Sequence, residues 1–395
     1  MKNPPADDHI HRRFAPTALM LGNVVTGCSV LAPAGMLIEL SSGLDVSIRD
    51  ASLLVTFGAV MLCIGSPVTA WLTSRIERRT LLAATLAILA LGNAASAFAP
   101  SYASLLAIRL VMLAIGALYT PQAAGTAAMI VPAEKRGSTI AYIFLGWSLA
   151  AAIGLPLIAL IASRYGWRMV YGGIGMIGFI SFLLLLWRLP GGLIGVPVDL
   201  KTWTDVARNR LIVLLLLATT LQMSGQFVVF TFMGPLLTKL AQADAHGIGL
   251  VFLLYGVFGF VGIAIATRIV DSWGAYKSSL LFTGLILTGM TGWALSAGIY
   301  PLMACSVAIW GLGFASTNSM QQVRLVTAAP ALASASVSLN TSVLYIGQAV
   351  GSAIGGVLYT GDWLHAFGFV AMAFVALALL VVILTKPRQA LEPTG

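Results

Sequence analysis

The chain has 395 residues, of which 59% are apolar and only 9% carry Asp, Glu, Lys or Arg. An ordinary soluble domain carries about 25% charged residues, and the mean hydropathy here is +0.95. This composition excludes a cytosolic enzyme, a secreted disulfide scaffold and a disordered chain. Runs without Asp, Glu, Lys, Arg or His cover 14–38, 51–74, 80–108, 110–133, 137–163, 169–187, 211–238, 247–267, 278–323, 325–361 and 366–385. Each is long enough to cross a bilayer as a helix, which takes about 20 apolar residues. The run 278–323 breaks at Gly298-Ile299-Tyr300-Pro301 and reads as two helices, so twelve spans are predicted. The first run follows Lys2, Arg12 and Arg13 and reads as an uncleaved span, being too long for the apolar core of a signal peptide.

After the sixth span the character changes. Pro190-Gly191-Gly192 is followed by a charged stretch from Asp199 to Arg210, in which Leu200, Trp203 and Val206 recur at helical spacing. A short interfacial helix in a linker over 190–210 is expected there. It separates a six-helix bundle over 1–189 from a second over 211–395. The halves repeat one pattern. Gly65 precedes Ser74 by the same interval as Gly262 precedes Asp271, and the two glycines lie 197 residues apart. Gly146, Ala150 and Gly154 in the fifth span, and Gly347, Gly351 and Gly355 in the eleventh, step by four residues. Each set shares a helix face and permits close backbone approach. Duplicated bundles of this kind belong to secondary transporters, which rock one half against the other.

Twelve spans place both termini on one side. Seventeen Lys and Arg residues then fall on that side and four on the other, with Arg109 inside a span. The bias predicts a multi-pass protein of the cytoplasmic membrane with cytoplasmic termini. The net charge of +9 is a topology signal; scattered over seven short segments, it offers no nucleic-acid footprint. Cys28, Cys63 and Cys305 fall in spans and read as packing residues.

Along essentially its whole length the chain resembles the major facilitator superfamily. It is most similar to the twelve-span drug:proton antiporter branch and, within that, to the arabinose-efflux-permease-like proteins. The motifs are Gly65 with Arg75, Arg78 and Arg79 after the second span, where Ser74 and Glu77 replace an acid and a glycine; Asp271 and Gly274 in the second copy; Arg109 with Gly116 in the fourth span; and Gly154-Leu155-Pro156 in the fifth. Similar loops are Pro132-Ala133-Glu134-Lys135-Arg136-Gly137 and Gly166-Trp167-Arg168, with Ser338-Leu339-Asn340-Thr341-Ser342 opening the eleventh span. The resemblance implies two pseudo-symmetric bundles around a central cavity lined by the first, fourth, seventh and tenth spans.

Candidate site residues follow from both readings. A buried guanidinium is costly unless paired or hydrated, so Arg109 reads as an electrostatic element; the family implies a part in coupling. All thirteen Asp and Glu residues and all four histidines lie at helix ends, loops or tails, which makes Glu39, at the outer end of the first span, the nearest proton carrier. Polar cavity candidates are Asn23, Thr26, Tyr119, Thr120, Gln122, Gln222, Gln226, Trp310, Asn318 and Asn340. Amides, hydroxyls and aromatics without a carboxylate suit neutral or anionic amphipathic solutes. The alternative role of such residues is interhelical hydrogen bonding, worth about 0.6 kcal/mol per pair on average. The gating candidates are Gly65, Ser74, Arg75, Arg78, Arg79, Gly154, Pro156, Gly262, Asp271 and Gly274; with no acid at Ser74, closure on the cytoplasmic side is expected to lean on Asp271. The expected function is export of a small organic solute (drug-like, sugar or nucleoside-like) by alternating access, linked to protons, by a monomer without cofactor, metal or catalytic residue. A facilitated exporter or importer of the same fold is the alternative. A polytopic membrane enzyme is disfavoured, because the chain has neither an acidic or histidine cluster nor a phosphate-binding loop.

Overall fold

The computed structural model describes residues 6–73, 75–132, 136–194, 205–329 and 332–386. Among the described residues twelve helices are long and apolar enough to span a membrane: α1 Phe14–Gly35, α2 Ile48–Thr69, α3 Arg78–Ala97, α4 Tyr102–Ala127, α5 Tyr142–Tyr165, α6 Trp167–Arg188, α7 Arg210–Phe230, α8 Ala245–Val270, α9 Ser272–Leu295, α10 Tyr300–Ala328, α11 Leu339–Thr360 and α12 Ala366–Leu384. The face at which α1 begins and α12 ends is the terminal face, and the opposite one the distal face.

Local chemistry sets the boundaries. Ser101 and Ser104 form a reciprocal capping box at the start of α4. The Asn209 side chain accepts from the amides of Leu211 and Ile212 to open α7, and Asp244 accepts from the Gly247 amide, at 2.8 Å, to open α8. Gly298 at φ 98° and Pro301 in the first turn of α10 divide α9 from α10 where the sequence break is. Gly166 (φ 82°) turns α5 into α6, and Gly274 (φ 77°) turns α8 into α9, both in conformations that suit a residue without Cβ.

The duplication reaches into short elements that hydropathy does not show. On the distal side, Leu37–Leu44 follows α1 and Met233–Ala241 follows α7. The first ends in left-handed Asp45 (φ 53°) and the second in left-handed Gln242 (φ 52°), 197 residues later. Within each half the glycines bring backbones together. A Cβ on Gly65 would stand 2.4 Å from the Ala114 carbonyl oxygen in α4, and one on Gly262 2.0 Å from that of Leu312 in α10. Gly146 meets the Met20 carbonyl of α1, while Gly347 and Gly351 meet those of Thr220 and Ser224 in α7. Small residues are what permit such approach.

The linker is partly described. Glu77 accepts from the Gly192 amide, and the Arg78 amide donates to Leu193 O at 2.8 Å, so the start of the linker is fastened to the loop after α2. Residues 195–204, which include Leu200 and Trp203 of the expected interfacial helix, lie outside the described residues. Residues 205–208 are helical, and Val206 is buried with Ile212, Leu215 and Leu325.

The halves meet through α2 against α11 and through α5 against α8. These contacts lie toward the distal face. Thr56 Oγ1 and Ser352 Oγ are hydrogen-bonded at 2.9 Å. A Cβ on Gly256 would stand 2.0 Å from Ala152 Cα, and one on Gly249 3.9 Å from the Pro156 carbonyl. Two core clusters mix the halves: one joins Leu155, Ile158 and Trp167 to Phe227, Phe230 and Phe252 on the distal side, and the other seats Tyr345 and Ala349 of α11 among residues of the first bundle such as Ala59 and Leu62. Toward the terminal face, Arg78 and Arg324 turn into their own bundles.

Candidate functional site: the inner faces of the two bundles

Two polar clamps occupy equivalent places in the halves. In the first, Trp147 Nε1 of α5 donates to Thr120 Oγ1 (3.0 Å), Thr120 donates to Asn23 Oδ1 (2.8 Å), and Asn23 Nδ2 donates to Ile143 O (3.0 Å). In the second, Thr219 Oγ1 donates to Asn340 Oδ1 (2.8 Å), and Asn340 Nδ2 donates to Asn318 Oδ1 (3.0 Å). Asn23 and Thr219 are 196 residues apart, and Thr120 and Asn318 are 198 apart. Each clamp therefore ties the first, fourth and fifth helices of its half, with the amide and hydroxyl exchanged between the repeats. Asn23 and Asn340 are buried, whereas Thr120, Trp147 and Asn318 keep partial exposure.

The other polar candidates divide in the same way. Thr26 bonds to Gly22 O within α1, and Tyr119 OH donates to Leu19 O across to α1 at 3.2 Å. Gln226 accepts from Trp310 Nε1 at 2.7 Å, and Trp310 stands edge-on to Tyr255 with ring centroids 5.0 Å apart. Gln222 is buried one turn from Gln226. Half-buried Gln122 accepts from Arg78 Nη1. Amides whose hydrogen bonds are made inside a bundle hold helices in register; the partly exposed Thr120, Gln122, Trp147 and Asn318 retain surface for a solute.

Arg109 is 1% exposed within the N-terminal bundle. It donates to Ser29 O of α1 at 3.0 Å and to Tyr171 OH of α6 at 3.2 Å. Its Nε has no partner, nor has Oδ1 of the nearby Asn93, whose Nδ2 donates to Ser29 Oγ at 2.8 Å. The guanidinium is thus met by neutral acceptors of α1 and α6. Glu39 is half-buried on the short helix Leu37–Leu44, where the two halves touch.

Of the gating candidates, Gly65 and Gly262 are intra-bundle approach points, as described. Arg75 is exposed, Arg78 reaches Gln122, and Arg79 reaches Leu186 O, all within the first half. Ser74 lies outside the described residues, and of Asp271 only the backbone is described, next to the Gly274 turn. Gly154 closes a π-helical turn, Ala150–Gly154, and Pro156 follows in the first turn of the next α-helical segment. A proline removes one helical hydrogen bond, and a π turn absorbs the resulting mismatch.

Three participants were not singled out from the sequence. Tyr171 is an ordinary apolar-face tyrosine until Arg109 meets it. Gly256 is one of three glycines, with Gly259 and Gly262, in an otherwise bulky apolar run. Arg324, 6% exposed, donates to Gln321 Oε1 (3.0 Å), Thr385 O (3.1 Å) and Thr385 Oγ1 (2.6 Å). The signal for Arg324 was available, since it alone interrupts the uncharged stretch 278–361. Among the described residues no group of three His, Cys, Asp or Glu stands close enough to hold a metal.

Comparison with known proteins agrees with this architecture. The Major Facilitator Superfamily family model matches residues 19–347. The chain belongs to the major facilitator superfamily and is a multi-pass membrane transporter. It is 30% identical over 378 residues to the inner membrane transport protein YdhP of Escherichia coli (strain K12), covering 94% of this chain and 96% of that one. It is 25% identical over 359 residues to a probable sugar efflux transporter of Mannheimia succiniciproducens, covering 89% and 88%. Among solved structures it superposes on a D-xylose–proton symporter with a TM-score of 0.76 at 16% identity, covering 95% and 98%. A bacterial homologue of the lysosomal transporter Spinster, in an inward-facing and unoccupied conformation, gives 0.70 at 14% identity, covering 96% and 99%.

Proposed function

We propose that the protein exports a small neutral or anionic organic solute across the cytoplasmic membrane by alternating access, linked to protons, as a monomer with both termini in the cytoplasm. The observation that carries this reading is the asymmetry of the seam: α2–α11 and α5–α8 pack toward the distal face, while polar Thr120, Gln122 and Asn318 keep exposure on the inner helices. That arrangement suits a state open to the terminal face. The basic residues favour a cytoplasmic terminal face. The exposed set offers hydroxyl, amide and indole groups and no carboxylate, so a hydroxylated solute such as a sugar or nucleoside fits better than a cation. The relative described as a sugar efflux transporter supports the same class and direction.

In this reading Arg109 is a fixed charge and Glu39 the group that exchanges a proton; arginine stays protonated throughout. The test is flux in proteoliposomes for a panel of sugars, nucleosides and amphipathic drugs, with and without an imposed pH gradient. Gradient-driven movement of a neutral solute is expected. Gradient-independent equilibration would replace antiport by facilitated export, and transport of cations alone would overturn the substrate class.

A further inference from the structure

Glu39 is the one charged side chain lining a small cavity in the distal seam. From the first half the cavity is walled by Ala34, Gly35 and Ala159; from the second, by Gly234, Pro235 and Ile248. Its volume is about 20 Å³, enough for a single water. The short helices Leu37–Leu44 and Met233–Ala241, equivalent elements of the two repeats, abut here. A carboxylate held against such walls loses part of its hydration when the halves close, and Glu39 is half-buried here.

The surrounding charges are engaged elsewhere or face outward. On Met233–Ala241, Lys239 lies 3.6 Å from Asp362 and 4.6 Å above the Tyr359 ring. At the start of α8, Asp244 caps Gly247 and His246 is exposed. On α5, Arg164 is exposed. On α2, the Arg49 side chain packs beside Gly356 and Asp50 bonds to Ser47. On α6, Arg168 lies over the Trp167 ring and donates to Ala99 O. On Leu37–Leu44 itself the capping residue Asp45 is exposed, as is His365 before α12. None of these lines the cavity.

We propose that Glu39 is a proton-binding latch of the distal seam: the halves close on this side with its carboxyl protonated, and opening exposes it to water, where it ionises. This rests on the alternating-access reading above and adds that the protonation state of Glu39 sets whether the distal seam is closed. Burial raises the Glu39 carboxyl above its ordinary value, against a smaller lowering by its own backbone amide. The sign follows: a group whose affinity for protons is higher in the closed seam favours closure at low pH and releases it as pH rises. Acid on the distal side therefore drives the protein toward the state open to the terminal face. The proton comes from the distal bulk and returns to it unless a path through the bundle carries it inward.

The experiment is double electron–electron resonance on the full chain in lipid nanodiscs. Spin labels are placed at Ala103→Cys and Leu302→Cys, exposed distal positions on the two halves. The background lacks the three native cysteines and carries His246→Gln and His365→Gln, because histidine titrates in the neutral range. The closed-to-open ratio is expected to fall steadily as pH is raised from acid to alkaline, because the carboxyl holds its proton more tightly in the closed seam. Glu39→Gln should stay closed with less than twofold change. Infrared difference spectroscopy of the unmutated Glu39 protein should show a protonated carboxyl band in the closed state that is lost as rising pH opens the seam, a readout independent of whether the Gln variant folds. Distances indifferent to pH, a Gln variant that titrates like the parent, or no such band would overturn the latch. A failed flux assay with a pH-dependent seam would instead remove the transport reading and leave the latch.

Discussion

At the residue scale, the chemistry of the buried polar groups decides what each substitution does. Arg109 is enclosed by neutral acceptors, so Arg109→Ala removes a charge together with the bonds to Ser29 O and Tyr171 OH. Arg109→Lys keeps the charge but not the planar fork. Transport is expected to fall more in the alanine variant, with membrane insertion retained; wild-type flux from Arg109→Ala would show the charge to be dispensable. Tyr171→Phe isolates one bond and should cost about 1–2 kcal/mol, read as a lowered midpoint in detergent denaturation, because a buried donor is left without its acceptor. The clamps make a second case. Asn340→Leu severs Thr219 and Asn318 together and should loosen the C-terminal bundle, while Asn318→Ala leaves the Thr219–Asn340 bond in place. A larger loss of thermal stability in Asn340→Leu is expected.

At the element scale, glycine placement governs which helices touch. The carbonyl oxygens facing Gly65 and Gly262 are backbone atoms and cannot rotate away. Gly65→Leu and Gly262→Leu are therefore expected to destabilise by about 1–3 kcal/mol or more through overpacking, seen as loss of the monodisperse peak on fluorescence-detected size exclusion after heating. Gly173→Ala is the control, since nothing lies within 4 Å of its added methyl; it should be neutral or gain up to about 1 kcal/mol. The π turn at Ala150–Gly154 puts the irregularity of α5 beside the contact between Ala152 and Gly256. Pro156→Ala removes the reason for that irregularity, and altered α5–α8 crosslinking is the expected result.

At the scale of the whole molecule, the two halves are joined by a seam in which Gly256 packs directly against the Ala152 backbone. Gly256→Leu should wedge the seam and shift the population toward the distal-open state, measured as a longer distance between labels on the two distal ends; an unchanged distribution would mean that the seam repacks without opening. Orientation is tested separately. With Asp205→Cys in a cysteine-free background, an impermeant thiol reagent applied to intact cells should leave the protein unlabelled if the linker is cytoplasmic. The amino-acid sequence carries the twelve spans, the break at Gly298, the duplicated halves and the family, because each rests on periodicity, length or composition that neighbouring residues hold alone. It also marked Arg109 and the glycine ladders, since an isolated charge or a step of four is visible along one helix. Helix packing is what turns Arg109 to Ser29 and Tyr171, engages the Asn23 and Asn340 amides inside their bundles, directs Arg78 and Arg79 within the first half, and sets Glu39 where the halves close. Those facts depend on which helix faces which across tens to hundreds of residues, and a side chain's hydrogen-bond partner is fixed by that packing and not by its place in the chain.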